Sequence, residues 1–517
     1  MPRGTIQTLL RPDPGGVRED LSPALLPEGW YLSSTNWLHR RGKGRPRPGY
    51  DLLTTATDTG RVLGLGFRGS RLLGTNLVIF TSANQYSYNG TTLSSITNPS
   101  WTNSDNPNQL VRSLTFPQSG TDYILAINTV NELMEWSGSG NFTNTSGSPP
   151  TGRDVFVLGN RLVVCQPDSN MYRVRWSGFA DRTSWPTTVN QTDLRDTPGN
   201  VVGGAPFSPN TGAIYKDDCI YLATLQAAQE PFQFQFVGLV PGPVSPAVIV
   251  NALGVHYWLG EDFSIYKFDG AEPKIVSAGL TRTIGTNINF SDRDTSFGFA
   301  SITQDLREVW FFYPNRNGFY NAVSCNILTS ALNHHTFTRD VFTAATEWRM
   351  GGATIDGLDA YSSTIDGLDS VYATIDSMDG TAPVNPQILL GTSAGQVHIL
   401  NETYADDNGS SIEWRFRDRW MAPGANQTRV HVDAVDTMWT DTDDALTVAV
   451  GVYVTDKMTD SETSTVSYFS PGTDEQHLLT FPNKRGKLVS VEHSASTVVA
   501  GLEYVGGILT SWPRGRV

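Results

Sequence analysis

The sequence predicts an all-β protein built around a β-propeller, with an extended N-terminal arm and a C-terminal β-sandwich-like domain. Three observations carry that expectation. Amphipathic helical periodicity over roughly 12 residues or more is missing, whereas short β-branched and aromatic runs alternate with Gly/Asn/Asp turns. Gly and Pro, 49 and 29 of the 517 residues, are spread along the whole chain. A loose unit also recurs: an apolar strand, a polar turn, an aromatic-containing strand and a Gly-containing turn.

The composition narrows the class. Hydrophobic residues make up 39% and charged residues 17%, with 13 Trp, 18 Tyr and 23 Phe, an aromatic load that excludes a disordered chain. The 517 residues exceed the roughly 250–300 that one core organises, so a repeat or several packed units are required. No run reaches the roughly 18 apolar residues of a membrane helix, so no membrane segment is expected. The opening MPRGTIQTLLRPDPGG has no apolar h-region, so no secretion signal is expected either. Cys165, Cys219 and Cys325 are too far apart for a metal ribbon and read as small buried hydrophobes.

Residues 1–54 read as the arm. They contain Pro12-Asp13-Pro14-Gly15-Gly16 and a basic run of Arg40, Arg41, Lys43, Arg45 and Arg47. That run is a candidate contact for phosphate or an acidic partner, with a solvated loop as the alternative.

Residues 55–405 read as the propeller. Its units are clearest at 77–90 (LVIFTSANQYSYNG), 123–138, 161–178 and 255–270, with divergent members at 308–320 and 387–403. Three of the five spacings between unit starts fall between about 35 and 55 residues, the size of a propeller blade. The other two are nearly double, as if a diverged blade lay in each gap.

Within the propeller, residues 351–382 are expected as an inserted loop. It carries three decads in register, ATIDGLDAYS, STIDGLDSVY and ATIDSMDGTA. Ten residues fall 80° short of three helical turns at about 100° each, so one continuous helix would scatter the apolar positions. Three short helical or 3₁₀ turns are expected instead, opened by Thr354, Thr364 and Thr374 as N-caps. Asp356, Asp359, Asp366, Asp369, Asp376 and Asp379 repeat with them. Calcium would use carboxylate oxygens, but the spacing is neither an EF-hand nor a nonapeptide roll. A protruding interaction or lumen loop is the favoured reading.

Residues 406–517 show longer alternating stretches at 412–420 (IEWRFRDRW), 430–439, 446–454, 487–493 and 497–504, the pattern of a β-sandwich.

Charge and motifs bear on function. The formal net charge is −14. Residues 1–71 carry 11 Lys/Arg against 6 Asp/Glu, whereas no Lys or Arg falls between Arg349 and Arg415, a span with ten carboxylates. Such a surface does not neutralise phosphates; it suits one that DNA passes without adhering. Gly64-Leu65-Gly66-Phe67-Arg68-Gly69 matches G-x-G-x-x-G but is followed by a strand-like run, not the helix a pyrophosphate needs. Gly391-Thr392-Ser393-Ala394-Gly395 matches a nucleophile elbow, yet the strand carrying His398 follows it, which makes a hairpin turn. His334 and His335 are neighbours in a strand and point to opposite faces. No catalytic, cofactor-binding or metal-ligating residue is assigned, and no enzyme is expected.

Residues 15–50, GGVREDLSPALLPEGWYLSSTNWLHRRGKGRPRPGY, resemble the opening of tail-hub or nozzle (tail tubular) proteins of short-tailed bacteriophages. The matching positions are Gly15, Gly16, Val17, Leu26, Pro27, Asn36, Arg47, Pro48, Gly49 and Tyr50. The blade ending Tyr266-Lys267-Phe268-Asp269-Gly270 is similar to blades of that family, as are the decads, although the family often has Trp where this chain has Ile. The resemblance implies a structural protein of the virion tail: a hexameric ring below the portal adaptor that prolongs the DNA ejection channel and anchors tail fibres or spikes. It implies homo-oligomerisation, transient passage of double-stranded DNA and no cofactor. The six decad aspartates would then belong to a lumen or gating loop. The alternative function is a carbohydrate-binding or glycan-cleaving β-propeller.

Overall fold

The fold is taken from a computed structural model, which describes residues 5–10, 15–40, 43–68, 76–102, 109–226, 230–277, 279–302, 307–348, 387–401, 403–423, 429–439, 447–456, 463–469, 476–480, 482, 484–498 and 502–513. The chain is an all-β protein with a β-propeller. Among the described residues seven antiparallel sheets follow one another around it. Blades 1 to 6 are four-stranded and span residues 62–95, 112–144, 154–193, 201–239, 250–275 and 297–337. Each begins with its inner strand. The inner strands touch in chain order, and the last, Phe342–Trp348, packs against the first, Val62–Arg68.

Blade 7 closes the ring. Its strands Phe342–Trp348, Gln387–Thr392 and Gln396–Asn401 are completed by Gly49–Thr55 from the other end of the propeller, with Tyr50 opposite Leu400 and Thr55 opposite Gln396. The Thr343 hydroxyl also donates to the Val62 carbonyl at 2.6 Å, across the seam between the last blade and the first.

Each gap between blades holds its own apolar layer. Val78 and Phe80 of blade 1 meet Ile124 and Trp136 of blade 2, and Phe156 and Trp176 of blade 3 meet Ile214 and Tyr221 of blade 4. One sheet cannot cover these faces alone; stacking buries them, at roughly 25 cal/mol per Å² of apolar surface. The inner strands converge, and glycine makes the room. A Cβ on Gly64 would lie 2.5 Å from the Val111 carbonyl oxygen of the loop that enters blade 2.

The two doubled spacings between units have different contents. The double gap between the units at 161 and 255 holds blade 4. The double gap between 308 and 387 holds the last strands of blade 6, the inner strand of blade 7 and residues 349–386, which lie outside the described residues, so no extra blade is described there.

The second unit is a pair of sheets. One runs Trp37–Arg40, Lys43–Pro46, Tyr504–Pro513, Val430–Trp439, Gln476–Thr480, with Ile6–Leu10 also on Tyr504–Pro513 and Lys484–Gly486 on Val430–Trp439. The other runs Tyr31–Thr35, Trp414–Asp418, Leu488–Ala495, Val448–Thr455, Thr463–Phe469. Between them lies an aromatic core in which Trp37 stacks on Phe416 at 4.4 Å and Phe416 on His493 at 4.7 Å.

The expected arm is thereby corrected. Four of its strands are built into the sandwich, and Gly49–Thr55 belongs to blade 7. Apart from the hairpin of Trp37–Arg40 with Lys43–Pro46, their strand partners lie hundreds of residues away, so the local sequence shows only short apolar runs broken by Gly, Pro and Arg. The stretch expected as a strand at 497–504 is displaced as well, the final strand being Tyr504–Pro513.

Candidate functional site at the propeller–sandwich junction

Asn36 separates the strands Tyr31–Thr35 and Trp37–Arg40, which belong to different sheets of the sandwich. It takes a left-handed φ of 56°, a conformation that Asn tolerates better than most residues. Its Nδ2 donates to the Glu413 carbonyl at 2.8 Å and to Thr336 Oγ1 at 3.1 Å. Its Oδ1 accepts from the Thr336 backbone N–H at 2.8 Å and from Arg47 Nε at 3.1 Å. One short side chain thus ties the sandwich to the outer strand of blade 6.

Arg47 completes the tie. Its side chain is 1% exposed and paired with Asp407, whose side chain is 7% exposed. Nη1 donates to Asp407 Oδ1 at 2.8 Å and to the Pro48 carbonyl at 3.0 Å; Nη2 donates to Asp407 Oδ2 at 2.6 Å and to the Thr336 carbonyl at 3.0 Å. With Nε on Asn36, all five guanidinium N–H groups are used. The guanidinium also lies over the Phe337 ring, 4.1 Å from its centroid. A buried charge of this kind persists because it is paired and fully hydrogen-bonded.

The neighbouring motif residues serve the same seam. Gly16 has φ 78°, and a Cβ there would lie 2.2 Å from the Leu332 carbonyl oxygen, so glycine is required for the chain to run against blade 6. Val17 N–H donates to that same carbonyl at 2.8 Å. A Cβ on Gly49 would lie 2.1 Å from the Asp406 carbonyl oxygen. The Tyr50 hydroxyl donates to Asp340 at 2.8 Å, and burial together with the Asp407 and Asp340 carboxylates pushes its pKa far up.

The basic run is not a uniform exposed patch. Arg47 faces inward, which corrects its expected role as a partner contact: the carboxylate it meets is its own chain's Asp407. Lys43 forms an ion pair with Glu503 at 2.6 Å, both side chains partly exposed. Arg45 is half-buried in the strand Lys43–Pro46, and the Arg40 backbone pairs with Lys43. Arg41 lies outside the described residues, as do Asp356, Asp359, Asp366, Asp369, Asp376 and Asp379 and the whole decad insert. Asp407, by contrast, escaped sequence reasoning. It sits in a polar Asp406-Asp407-Asn408-Gly409 turn with no local sign of a buried ion pair.

A separate cleft of about 970 Å³ opens where the links into the inner strands meet the second hairpins of blades 4 and 5. Asp217, Asp218, Glu261, Asp294, Arg153 and Arg293 line it. Several of its groups are already engaged: Arg293 pairs with Glu261 at 2.9 Å, Asp217 accepts the Asn200 N–H at 2.7 Å, and Asp262, also in the lining, accepts the Tyr266 hydroxyl at 2.7 Å. None of the described residues lining it is aromatic. Among the described residues no group of three His, Cys, Asp or Glu is placed to hold a metal ion. Ser393 lies in a hairpin turn, whereas His398 is fully buried beside Tyr50, with ring centroids 5.1 Å apart. All three cysteines are free and buried.

No protein-family model and no curated protein sequence matches the chain. Among solved structures it is similar to BamB from Moraxella catarrhalis, at 10% identity and TM-score 0.37, over 77% of this chain and 97% of that one. It is also similar to apo AztD from Citrobacter koseri, at 11% identity and TM-score 0.34, over 65% and 83%. A computationally designed protein, Ika8, matches at 9% identity and TM-score 0.38, over 68% and 99%.

Proposed function

We propose that the chain is a structural subunit of a bacteriophage tail. In this reading it forms the nozzle or hub ring below the portal adaptor, prolongs the DNA ejection channel and carries fibres or spikes. One observation supports this above others. The residues of segment 15–50 that resemble tail-nozzle proteins include Gly16, Val17, Asn36, Arg47, Gly49 and Tyr50, which lash the sandwich to blades 6 and 7. A motif spent on joining two units is what a structural role asks for. The net charge of −14 is compatible with DNA sliding past with few phosphate contacts.

The test is quantitative mass spectrometry of purified virions produced from the genome that encodes this chain. The expected result is several copies per particle, far fewer than the capsid protein, and rings with the portal adaptor by electron microscopy. Absence from virions overturns the proposal and moves a glycan-active propeller to first place, to be read on a glycan array.

A further inference from the structure

The outer strand of each blade leaves one side of its backbone unpaired within its own sheet, and proteins keep such edges short, charged or covered. Six of the seven outer strands described here follow that rule. Leu93–Ser95, Thr143–Asn144, Gln191–Asp193 and Lys274–Ile275 have two or three residues. Leu332–Phe337 is covered by Asn36 and Arg47 of the sandwich entry. Gly49–Thr55 carries an exposed Asp51, pairs with Asp407 through Tyr50 and is interrupted by a register shift.

Blade 4 departs from it. Its outer strand, Phe232–Leu239, is eight residues long and reads FQFQFVGL, without a charge or a proline. Phe232 to Phe236 pair with Leu225 to Tyr221 in unbroken register; the only irregularity comes after Phe236. On its outer side no described strand pairs with it. Gln233 and Gln235 are exposed, Phe236 is 44% exposed and Leu239 71%.

We propose that Phe232–Leu239 is an assembly edge that takes a strand from a second copy of this chain, extending blade 4 by β-addition. An uncharged strand suits this edge, because a charge on the face beside Phe232 and Phe234, which pack in the layer between blades 3 and 4, would be buried without a partner. This chain offers such a strand. Thr463–Phe469, TSTVSYF, is seven uncharged residues that, among the described strands, pair only with Val448–Thr455 at the end of a sandwich sheet. Two unlike edges on different units make a head-to-tail contact, which repeats from copy to copy and gives a ring where the rotation per subunit divides a full turn, a filament where it does not. The inference does not rest on the tail reading: a chain absent from virions assembles the same way.

Sedimentation of the full chain tests it. The wild type is expected as an oligomer at micromolar concentration. Gln233→Lys/Gln235→Lys is expected to weaken association at least about tenfold, since charged edges resist strand addition, with an unchanged melting curve at dilutions where both chains are monomeric. Thr187→Lys/Thr188→Lys, the same charge change in an exposed loop, should assemble as wild type. Mixed Gln235→Cys and Ser467→Cys chains should form an interchain disulfide on oxidation, the native cysteines being buried; this readout stands even if the lysine variant misfolds. A monomeric wild type, a lysine variant that assembles normally, or Gln235→Cys chains that cross-link only to one another would overturn the proposal.

Discussion

Arg47 grips Asp407, 360 residues later in the chain, through two parallel hydrogen bonds of 2.8 and 2.6 Å in a site closed to solvent. The pair fastens the end of the sandwich entry to the turn that follows blade 7. Replacing one partner strands the other charge. Arg47→Met is therefore expected to cost roughly 3–5 kcal/mol, whereas Arg47→Met/Asp407→Leu should recover much of the loss. Arg47→Lys keeps the charge but supplies three donors where five are used, and should fall between them. Urea unfolding of the four proteins decides the matter; a double variant no more stable than Arg47→Met would show that the ion pair is not what the site depends on.

Asp154 makes a similar join inside the propeller. It is 1% exposed at the start of the blade 3 inner strand, accepting from Arg112 Nε of blade 2 at 2.9 Å and from the Gly204 N–H of blade 4 at 3.0 Å. One carboxylate thus spans three blades. Asp154→Ala leaves both donors short of an acceptor and should destabilise the chain by roughly 2–4 kcal/mol. Asp154→Asn keeps one oxygen acceptor and should cost less. Equal melting temperatures for the two variants would refute this ordering.

The units at 77–90, 123–138, 161–178, 255–270 and 308–320 were legible because the second and third strands of a blade form a hairpin of neighbours, with aromatic residues and a glycine turn at fixed offsets. Blade 4 was not. Its hairpin, Thr211–Lys216 with Cys219–Leu225, reads TGAIYK and CIYLATL, turns through Asp217-Asp218 and runs on into Gln226, where the hairpins of blades 1, 2, 3 and 5 run into Gly90, Gly138, Gly178 and Gly270. Without that closing glycine the unit does not stand out. The sandwich strands of residues 31–46 were illegible for a different reason. Trp37 is fully buried, but against Trp414 and Phe416 from the far end of the chain, a relationship that no local period encodes. Arg47 misled because an arginine in a run of arginines reads as solvated, and its burial rests on Asp407, Asn36 and Thr336.

The crowding of the inner ring gives a direct test. Gly64→Ala places a methyl group 2.5 Å from the Val111 carbonyl oxygen, a backbone atom that cannot turn aside. The blade 1–blade 2 contact must open, at a cost of roughly 1–3 kcal/mol. Gly238→Ala is the control: no described atom of its own chain lies within 4 Å of its Cβ position, and at dilutions where the chain is monomeric its effect should stay within about 0.5 kcal/mol. A thermal melt of both variants reads the difference, and similar midpoints would mean that the inner strands are looser than their spacing indicates.

Buried histidines set how the protein responds to acid. Burial pushes His39 and His493 of the sandwich down to about 3, and His256 of blade 5 to about 4, from an ordinary 6.5. The partners of His256 fix its tautomer: Nε2 lies 3.1 Å from the Pro206 carbonyl, which only accepts, so Nε2 carries the proton and Nδ1 accepts from the Tyr215 hydroxyl at 2.9 Å, while burial outweighs the Pro206 carbonyl in lowering the pKa. Each folded-state pKa lies below the unfolded value, so the unfolded chain binds more protons at mildly acid pH. The stabilising contribution is whole above 6.5 and is lost as pH falls from 6.5 towards 4, at about 1.4 kcal/mol per unit for each histidine. His493, stacked on Phe416 at 4.7 Å, is the site to change. His493→Phe keeps an aromatic ring and removes one proton, so its unfolding free energy should fall less steeply between about pH 6.5 and 5, by that single-histidine slope. Parallel pH profiles for the variant and the wild type would mean that His493 does not take up a proton on unfolding.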